Sequence, residues 1–245
     1  MSAEVAAFLV AGAAAGGLIN GLAGFGTSLF ALGWWLQVMP PVQAVAIALA
    51  VSAATGLQGV AVVRRSIEWR RLALFLVPAL FGIPIGATLL KDLDPTPLKI
   101  AIGAFLLIYG AFFTVRRNLP KLTRPYPAVD ATLGFVSGIL GAVAGLSGAL
   151  PTMWLAMRDW TKGRTRGVLQ PFNVIVLGIS AVLLAVAGAY DRGTLILLAV
   201  ALAVSMLAAQ CGIALFQRLS DTAFRRLIIA LMFASGATIL VREVL

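Results

Sequence analysis

The sequence predicts an all-α polytopic membrane protein of two inverted repeats of five apolar segments, each beginning with a re-entrant or broken helical hairpin. The first supporting observation is composition, because 61% of the 245 residues are hydrophobic and only 11% are charged. A soluble globular domain has about 45–50% apolar and about 25% charged residues. The alternation of apolar and polar residues that is typical of a membrane β-barrel is not seen in any segment. The other two observations are the distribution of basic residues and a duplicated glycine-rich break.

Ten apolar segments follow one another along the chain, at residues 5–22, 25–39, 41–63, 72–90, 98–115, 129–147, 149–157, 167–190, 194–216 and 223–241. A transmembrane helix needs about 20 such residues. Segment 7, "ALPTMWLAM", is too short, because nine residues at about 1.5 Å each reach only about 14 Å. We therefore expect segments 6 and 7 to form a re-entrant hairpin, and segments 1 and 2 to do the same.

Basic residues are concentrated in alternate connections between these segments. Of the 19 Lys and Arg residues, 15 lie in four connections, at residues 64–71, 116–124, 158–166 and 217–226. Basic connections remain in the cytoplasm, so these four are predicted to be internal and both chain termini to be periplasmic. The net charge of +10 is therefore interpreted as a topology signal, and no nucleic-acid partner is expected.

The two halves of the chain carry similar residues in a constant register. At an offset of 126 residues the pairs include Gly86/Gly212, Thr96/Thr222 and Arg116/Arg242, and near the start of each half an offset of 124 gives Gly17/Gly141, Gly21/Gly145 and Gly24/Gly148. The predicted division is a first repeat at 1–117, a cytoplasmic linker at 118–128 and a second repeat at 129–245. Five segments is an odd number, so the copies run through the bilayer in opposite senses, as in many secondary transporters.

The glycine-rich stretch "GGLINGLAGFGTSLF" (16–30) interrupts the first repeat. Each glycine weakens a helix by about 0.8–1 kcal/mol relative to alanine, so a helix break is expected here. The hairpin tips, residues 22–28 and 145–152, are predicted to meet near the bilayer centre. Helices that begin there direct unpaired N–H groups at one cavity, which favours an anion without any Lys or Arg in the membrane. The alternative is that Gly17, Gly21 and Gly24 form a small-residue packing face.

The tips "GLAGFGTS" and "GLSGALPT", together with "QPFN" at 170–173, resemble the sulfite exporter TauE/SafE family of anion permeases. The resemblance extends from about Gly12 to Val241, although the family's triple glycine is degraded in both copies. It implies a transporter in the bacterial inner membrane that exports sulfite, sulfoacetate or related organosulfonates. Some relatives are thought to import sulfonates, so import stays an alternative.

The candidate binding residues are mainly neutral donors, which suit a sulfonate with three equivalent oxygens and one negative charge. They are Asn20, Gly24, Gly26, Thr27, Ser28, Gln43, Ser147, Gly148, Thr152, Gln170 and Asn173. Amides in membrane segments need partners, so interhelical hydrogen bonds remain the alternative for Gln43, Gln170 and Asn173. Arg164 and Arg166 either anchor the cytoplasmic face or attract anions to its mouth.

The residue inventory argues against catalysis. The chain has no His, a single cysteine at Cys211 and nine acidic residues that are scattered through the loops, so we expect no enzyme, no metal site and no cofactor. The expected partners are a small anionic organosulfur substrate and the lipid bilayer. An anion channel and a homodimer through the small-residue faces remain open. Without a carboxylate deep in a segment, export driven by the membrane potential is favoured over proton coupling.

Overall fold

A computed structural model describes residues 2–92 and 124–244, with positions 100, 104, 107, 108, 111 and 122 between them. The predicted segment 5 and most of the predicted linker before residue 124 lie outside the described residues. The described part of the chain folds into nine α-helices and one short 3₁₀ turn at Arg64–Ser66. The helices are α1 Ala3–Ala23, α2 Thr27–Trp35, α3 Pro41–Val63, α4 Trp69–Asp92, α5 Pro127–Ala144, α6 Ala149–Ala156, α7 Lys162–Val186, α8 Arg192–Arg218 and α9 Asp221–Val244.

Six of these described helices are long and apolar enough to cross a membrane: α1, α3, α4, α5, α7 and α8. By contrast, α2 and α6 have nine and eight residues, or about 14 Å and about 12 Å of helix. The short helix at segment 7 was predicted, whereas α2 is shorter than the predicted segment 2 at residues 25–39. The arms of each hairpin are unequal, however, because α1 and α5 are long enough to span by themselves. The chain is thus a multi-pass membrane protein, and re-entrant insertion of its hairpins stays a prediction.

Local chemistry sets the helix boundaries. The Ser2 side chain caps α1 by accepting a hydrogen bond from the Val5 N–H, and Thr161 and Asp191 cap α7 and α8 in the same way. Side-chain oxygens at this position satisfy N–H groups that have no partner within the helix. Pro171 lies inside α7, which continues past it without interruption.

The helices pack in three main pairs, with α1 against α8, α4 against α5, and α3 against α7. Gly17 and Gly21 bring the α1 backbone against the backbone of Ser205 and Ala209 in α8. Glycines of α5, at 134 and 138, face the α4 backbone in the same manner. Small residues allow such close approach in membrane helices. Gly17 and Gly21 therefore form the small-residue packing face that was the alternative interpretation, and the face is used within the chain, whereas Gly24 lies against Gln170 and Arg166.

The glycines that end corresponding helices in the two halves are not separated by the 124 residues of the sequence pairs. Gly24 follows α1 and Gly145 follows α5, each in the left-handed conformation and each bonded to the carbonyl four residues before it. These two glycines are 121 residues apart, whereas the alignment at 124 pairs Gly24 with Gly148. Gly148 instead precedes α6, as Gly26 precedes α2. The sequence pairing of Gly24 with Gly148 therefore does not correspond to equivalent helix ends.

Candidate functional site

The two hairpin tips lie side by side. A Cβ atom at Gly145 would lie 2.9 Å from the Cβ of Ser28, and closer still to its hydroxyl. A Cβ atom at Gly148 would lie 2.6 Å from the Cβ of Phe25. Apolar residues of both tips, including Phe25, share one buried cluster with Leu146. The contact between residues 22–28 and 145–152 that the sequence predicts is confirmed.

Two different constraints, backbone conformation and space, explain why glycine occupies these positions of the tips. Gly24, Gly26 and Gly145 have φ angles of +87°, +102° and +68°, a conformation that disfavours any residue with a Cβ atom. Gly148 has an ordinary φ of −81°, and there the constraint is space. The break in each hairpin is thus built into the backbone at these positions.

The short helices begin at Thr27 and Ala149 without a side-chain cap, close to the starts expected from the sequence. Their free N–H groups are not equal in number. The Ala149 N–H is bonded to the Leu146 carbonyl at 3.3 Å, and Pro151, in the first turn of α6, has no N–H to offer. The first turn of α2 contains no proline, so α2 presents more uncapped donors.

Asn20 organises the polar contacts on the first tip. This buried amide donates from Nδ2 to the Thr27 hydroxyl at 3.0 Å and to the Thr55 hydroxyl at 2.8 Å. It also lies 3.2 Å from the carbonyl oxygen of Ser52. Asn20 therefore connects the end of α1, the start of α2 and the middle of α3. Ser52 and Thr55 were missed in the sequence because nothing marks them among the other small residues of α3.

Asn173 joins the two tips through one side chain. Its Nδ2 donates to the Gly24 carbonyl at 2.9 Å, and its Oδ1 accepts from the Ser147 hydroxyl at 2.8 Å. The amide is buried in the middle of α7. Asn173 is thus a direct polar link between α7 and both breaks.

A small cavity lies between the tips. It is lined by Asn20, Phe25, Gly26, Ser52, Gly145, Ser147, Gly148, Asn173 and Leu177, and it has room for about one water molecule. The buried hydroxyl of Ser52 on its wall makes no hydrogen bond within the described structure, and neither do those of Ser28 and Thr152, which are not among the lining residues. Buried hydroxyls normally have partners. Ser52 is therefore available to a ligand in this cavity.

Gln170 links this region to a buried arginine. Its Nε2 donates to the Gly56 carbonyl at 3.2 Å and lies 3.5 Å from Asn20 Oδ1, while its Oε1 accepts from Arg166 Nε at 2.9 Å. Arg166 is fully buried and its Nη2 has no partner. An anion site without any Lys or Arg was expected from the sequence, and the structure brings one buried guanidinium into contact with the candidate residue Gln170.

Gln43 lies apart from the other candidates. Its Nε2 donates to the Thr194 hydroxyl at 2.9 Å, which joins the first turns of α3 and α8. This contact is an interhelical hydrogen bond, which is the alternative role given above for Gln43. Gln43 is not among the residues that line the cavity.

A separate cluster of charges surrounds Asp130 in the first turn of α5. The buried carboxylate lies 3.4 Å from guanidinium nitrogens of Arg71 and Arg158, and it accepts from Trp154 Nε1 at 2.6 Å. The Arg158 guanidinium also lies over the rings of Tyr126 and Trp154. Burial lowers the pKa of Arg158, and Asp130 opposes that shift. This cluster holds α4, α5 and the chain between α6 and α7 together.

Comparison with known proteins agrees with this architecture. The family described as sulfite exporter TauE/SafE matches residues 8–239. No curated protein and no solved structure matches the chain. In the described part of the chain, no group of three or more His, Cys, Asp or Glu side chains could hold a metal ion. The chain belongs to the TauE/SafE family, whose members are membrane transporters and not enzymes.

Proposed function

We propose that this TauE/SafE transporter exports sulfite or a small organosulfonate, such as sulfoacetate, across the bacterial inner membrane through the cavity between the two hairpin tips. The observation that carries the proposal is the meeting of the tips across Asn173. That residue contacts both breaks, and the unpartnered buried hydroxyl of Ser52 lies on the wall of the same cavity. The family supports a sulfur anion as the substrate.

The donors around the cavity suit an oxyanion. Uncapped N–H groups at the start of α2 carry partial positive charge, and the hydroxyl of Ser52 on the cavity wall can donate one hydrogen bond. Several neutral donors distribute the charge of a sulfonate over its three oxygens. Such a set binds the anion without the large desolvation penalty of several buried cations.

The cavity is closed in this structure. Its space fits about one water molecule, whereas sulfite has four heavy atoms. The tips must therefore move apart to admit a substrate, which requires the Asn173–Gly24 hydrogen bond to break. Breaking that hydrogen bond costs about 0.5–1.5 kcal/mol, and separating the apolar contacts between the tips adds to this cost. Movement of the two hairpins in turn would expose the cavity to alternate sides of the membrane.

The membrane potential can drive export. Moving one charge through it is worth about 2.3 kcal/mol per 100 mV, and an inside-negative cell expels anions. Since about 1.4 kcal/mol corresponds to a tenfold ratio, the potential sustains more than a tenfold gradient without a coupled ion. Efflux that depends on a proton gradient and ignores voltage would contradict this mechanism.

Flux of sulfite and sulfoacetate from proteoliposomes, with the potential set by a potassium gradient and valinomycin, tests the site. Asn173→Ala is expected to reduce flux about tenfold or more, because it removes a side chain that hydrogen-bonds to both breaks. Gln43→Ala is the matched control, since it removes a membrane amide outside the cavity, and its flux is expected to be near that of the wild type. Equal losses in both variants would refute the site.

Direction and transport mode are separable in the same vesicles. Export predicts that an inside-negative potential accelerates efflux and opposes uptake. A carrier predicts that flux saturates with substrate concentration, and a channel predicts single-channel currents in a planar bilayer. Net uptake of the sulfur anion by cells, whatever the membrane potential, would support the importer alternative.

The proposed topology has two inverted repeats and both termini in the periplasm. The exchange of partners, with α1 against α8 and α5 against α4, supports a repeat, because the first helix of each half packs on the fourth helix of the other. Ser2→Cys in a Cys211→Ser background tests the orientation. A membrane-impermeant maleimide is expected to label intact cells, and labelling only after lysis would place the N-terminus in the cytoplasm.

A further inference from the structure

Arg166 has an unusual set of contacts for a fully buried guanidinium. A guanidinium carries five N–H donors, and in this structure only Nε makes a short hydrogen bond, to Gln170 at 2.9 Å. Nη1 lies 3.4 Å from the Leu22 carbonyl, beyond the usual range of about 2.7–3.2 Å. Nη2 has no partner. Most of the hydrogen-bonding capacity of this cation is therefore unused.

In the part of the chain that the structure describes, no ion pair joins an acidic side chain to Arg166. Among the described residues, the carboxylates that form ion pairs with arginines are Asp130 and Glu68, and they pair with Arg71, Arg158 and Arg164. One face of the guanidinium lies 4.2 Å from the ring centroid of Phe216. An isolated buried charge is strongly unfavourable, so an anionic partner would stabilise it.

Arg166 is not among the lining residues of the cavity, but it lies behind the wall, one residue away from Asn20 and Asn173. Its Cγ and Nε lie 3.3 and 3.4 Å from where a Cβ atom of Gly24 would be, and Gly24 bonds to Asn173 on the cavity wall. Gln170 connects Arg166 to Asn20 on the same wall. Lys162 is the other cation near Phe216. Its ammonium is already occupied by carbonyl oxygens at the end of α8.

We infer that Arg166 pairs directly with the transported anion, and that this single uncompensated charge selects singly charged oxyanions over doubly charged ones. The inference rests on the proposed function. A monovalent sulfonate or hydrogensulfite forms a neutral buried pair with the guanidinium, through two parallel N–H···O bonds. A dianion leaves one negative charge in the same low-dielectric site and is disfavoured. Sulfoacetate carries a sulfonate and a carboxylate, so among the proposed substrates the inference favours hydrogensulfite and singly charged sulfonates over sulfoacetate. Near neutral pH, sulfite is present both as the dianion and as singly charged hydrogensulfite, so the transported form would be hydrogensulfite.

Transport kinetics of methanesulfonate in proteoliposomes test the inference. Arg166→Gln is expected to raise KM about tenfold or more, because a charge-assisted bidentate pair is lost. Arg164→Gln is the matched control. It removes the same charge from the same helix turn, but the Arg164 side chain is 41% exposed and paired with Glu68. A KM change of similar size in both variants would show that only the surface charge matters, and would overturn the inference.

Two further measurements do not depend on folding of the Arg166→Gln variant. In the wild type, unlabelled methanesulfonate is expected to inhibit transport of labelled methanesulfonate at a concentration at least about tenfold lower than sulfate does. Equal inhibition by the two anions would overturn the inference. Arg166→Lys keeps the charge but loses the planar fork. It is expected to weaken binding while it retains the preference for monovalent anions, and wild-type affinity in this variant would contradict direct pairing.

The proposed function and the inference fail in different ways. If the wild type carries sulfur anions and Arg166→Gln keeps its affinity, the function stands and the inference falls. If the wild type carries no sulfur anion but binds nitrate in an Arg166-dependent manner, the charge selection stands and the sulfur substrate falls. Nitrate binding is measured by thermal shift of the purified wild-type protein and of both Arg166 variants.

Discussion

Gly145→Ala is expected to destabilise the protein by forcing the tips apart. The new methyl group would overlap the side chain of Ser28 on the opposite tip, and the φ of +68° would also be unfavourable for alanine. Gly188→Ala separates these two effects. Gly188 has a φ of +81°, and no atom lies within 4 Å of where its Cβ would be.

The structure gives a magnitude for each contribution. The left-handed conformation costs alanine about 1–2 kcal/mol, and overpacking of a buried contact adds about 1–3 kcal/mol. Gly188→Ala should therefore lower the free energy of unfolding by about 1–2 kcal/mol, and Gly145→Ala by about 2–5 kcal/mol. Adding Ser28→Gly to Gly145→Ala removes the overlap and should recover most of the difference.

Thermal unfolding in detergent, followed by size-exclusion chromatography of the remaining folded protein, measures the order of stabilities. Ser28→Gly is measured alone as well, because the cycle isolates the contact only when both single variants are known. Equal losses for Gly145→Ala and Gly188→Ala, with no recovery in the double variant, would show that position 145 does not contact the first tip.

Two other substitutions test the packing that supports the tips. Gly21→Ala is expected to lower the melting temperature, because its methyl group would meet the Ala209 backbone, whereas Gly33→Ala has no atom within 4 Å and should stabilise its helix by about 1 kcal/mol. If Gly21→Ala and Gly33→Ala changed the melting temperature in the same direction, the close α1–α8 contact would be contradicted. Asp130→Asn is expected to lower the free energy of unfolding by about 3 kcal/mol or more, because it leaves the buried Arg158 without its counter-charge. Unchanged chemical denaturation would refute a stabilising role for this pair.

Much of the fold could be predicted because local signals determine it. Apolar length gave α3 at residues 41–63 and the short α6 from residue 149, since both depend on composition along one stretch. The helix breaks followed from glycine, whose positive φ at Gly24 and Gly26 is a property of the residue itself. The meeting of the tips followed from the duplication of this local pattern.

The role of Arg166 could not be predicted, because it depends on which side of a helix faces the protein. Arg164 and Arg166 are both basic residues of one connection, yet positions two apart differ by about 200° around a helix. Arg164 thus pairs with Glu68 at the surface, while Arg166 lies under Gly24. For a related reason, the sequence could not show that Gln43 lies away from the other candidate residues. Its distance from the cavity is set by the packing of α3 on α8, which no local pattern records.

The pattern of contacts explains how the tips can separate while the rest of the chain stays packed. Each long hairpin arm is fixed to a partner helix by backbone contact at glycine, as between Gly17 and Ser205, and Ser205 also donates to the Ala13 carbonyl at 2.8 Å. Between the tips, the polar link through Asn173 is one neutral hydrogen bond to each side. Disrupting tightly packed backbones costs more than breaking such bonds. We therefore expect opening to begin at the tips, with each hairpin moving together with its partner helix.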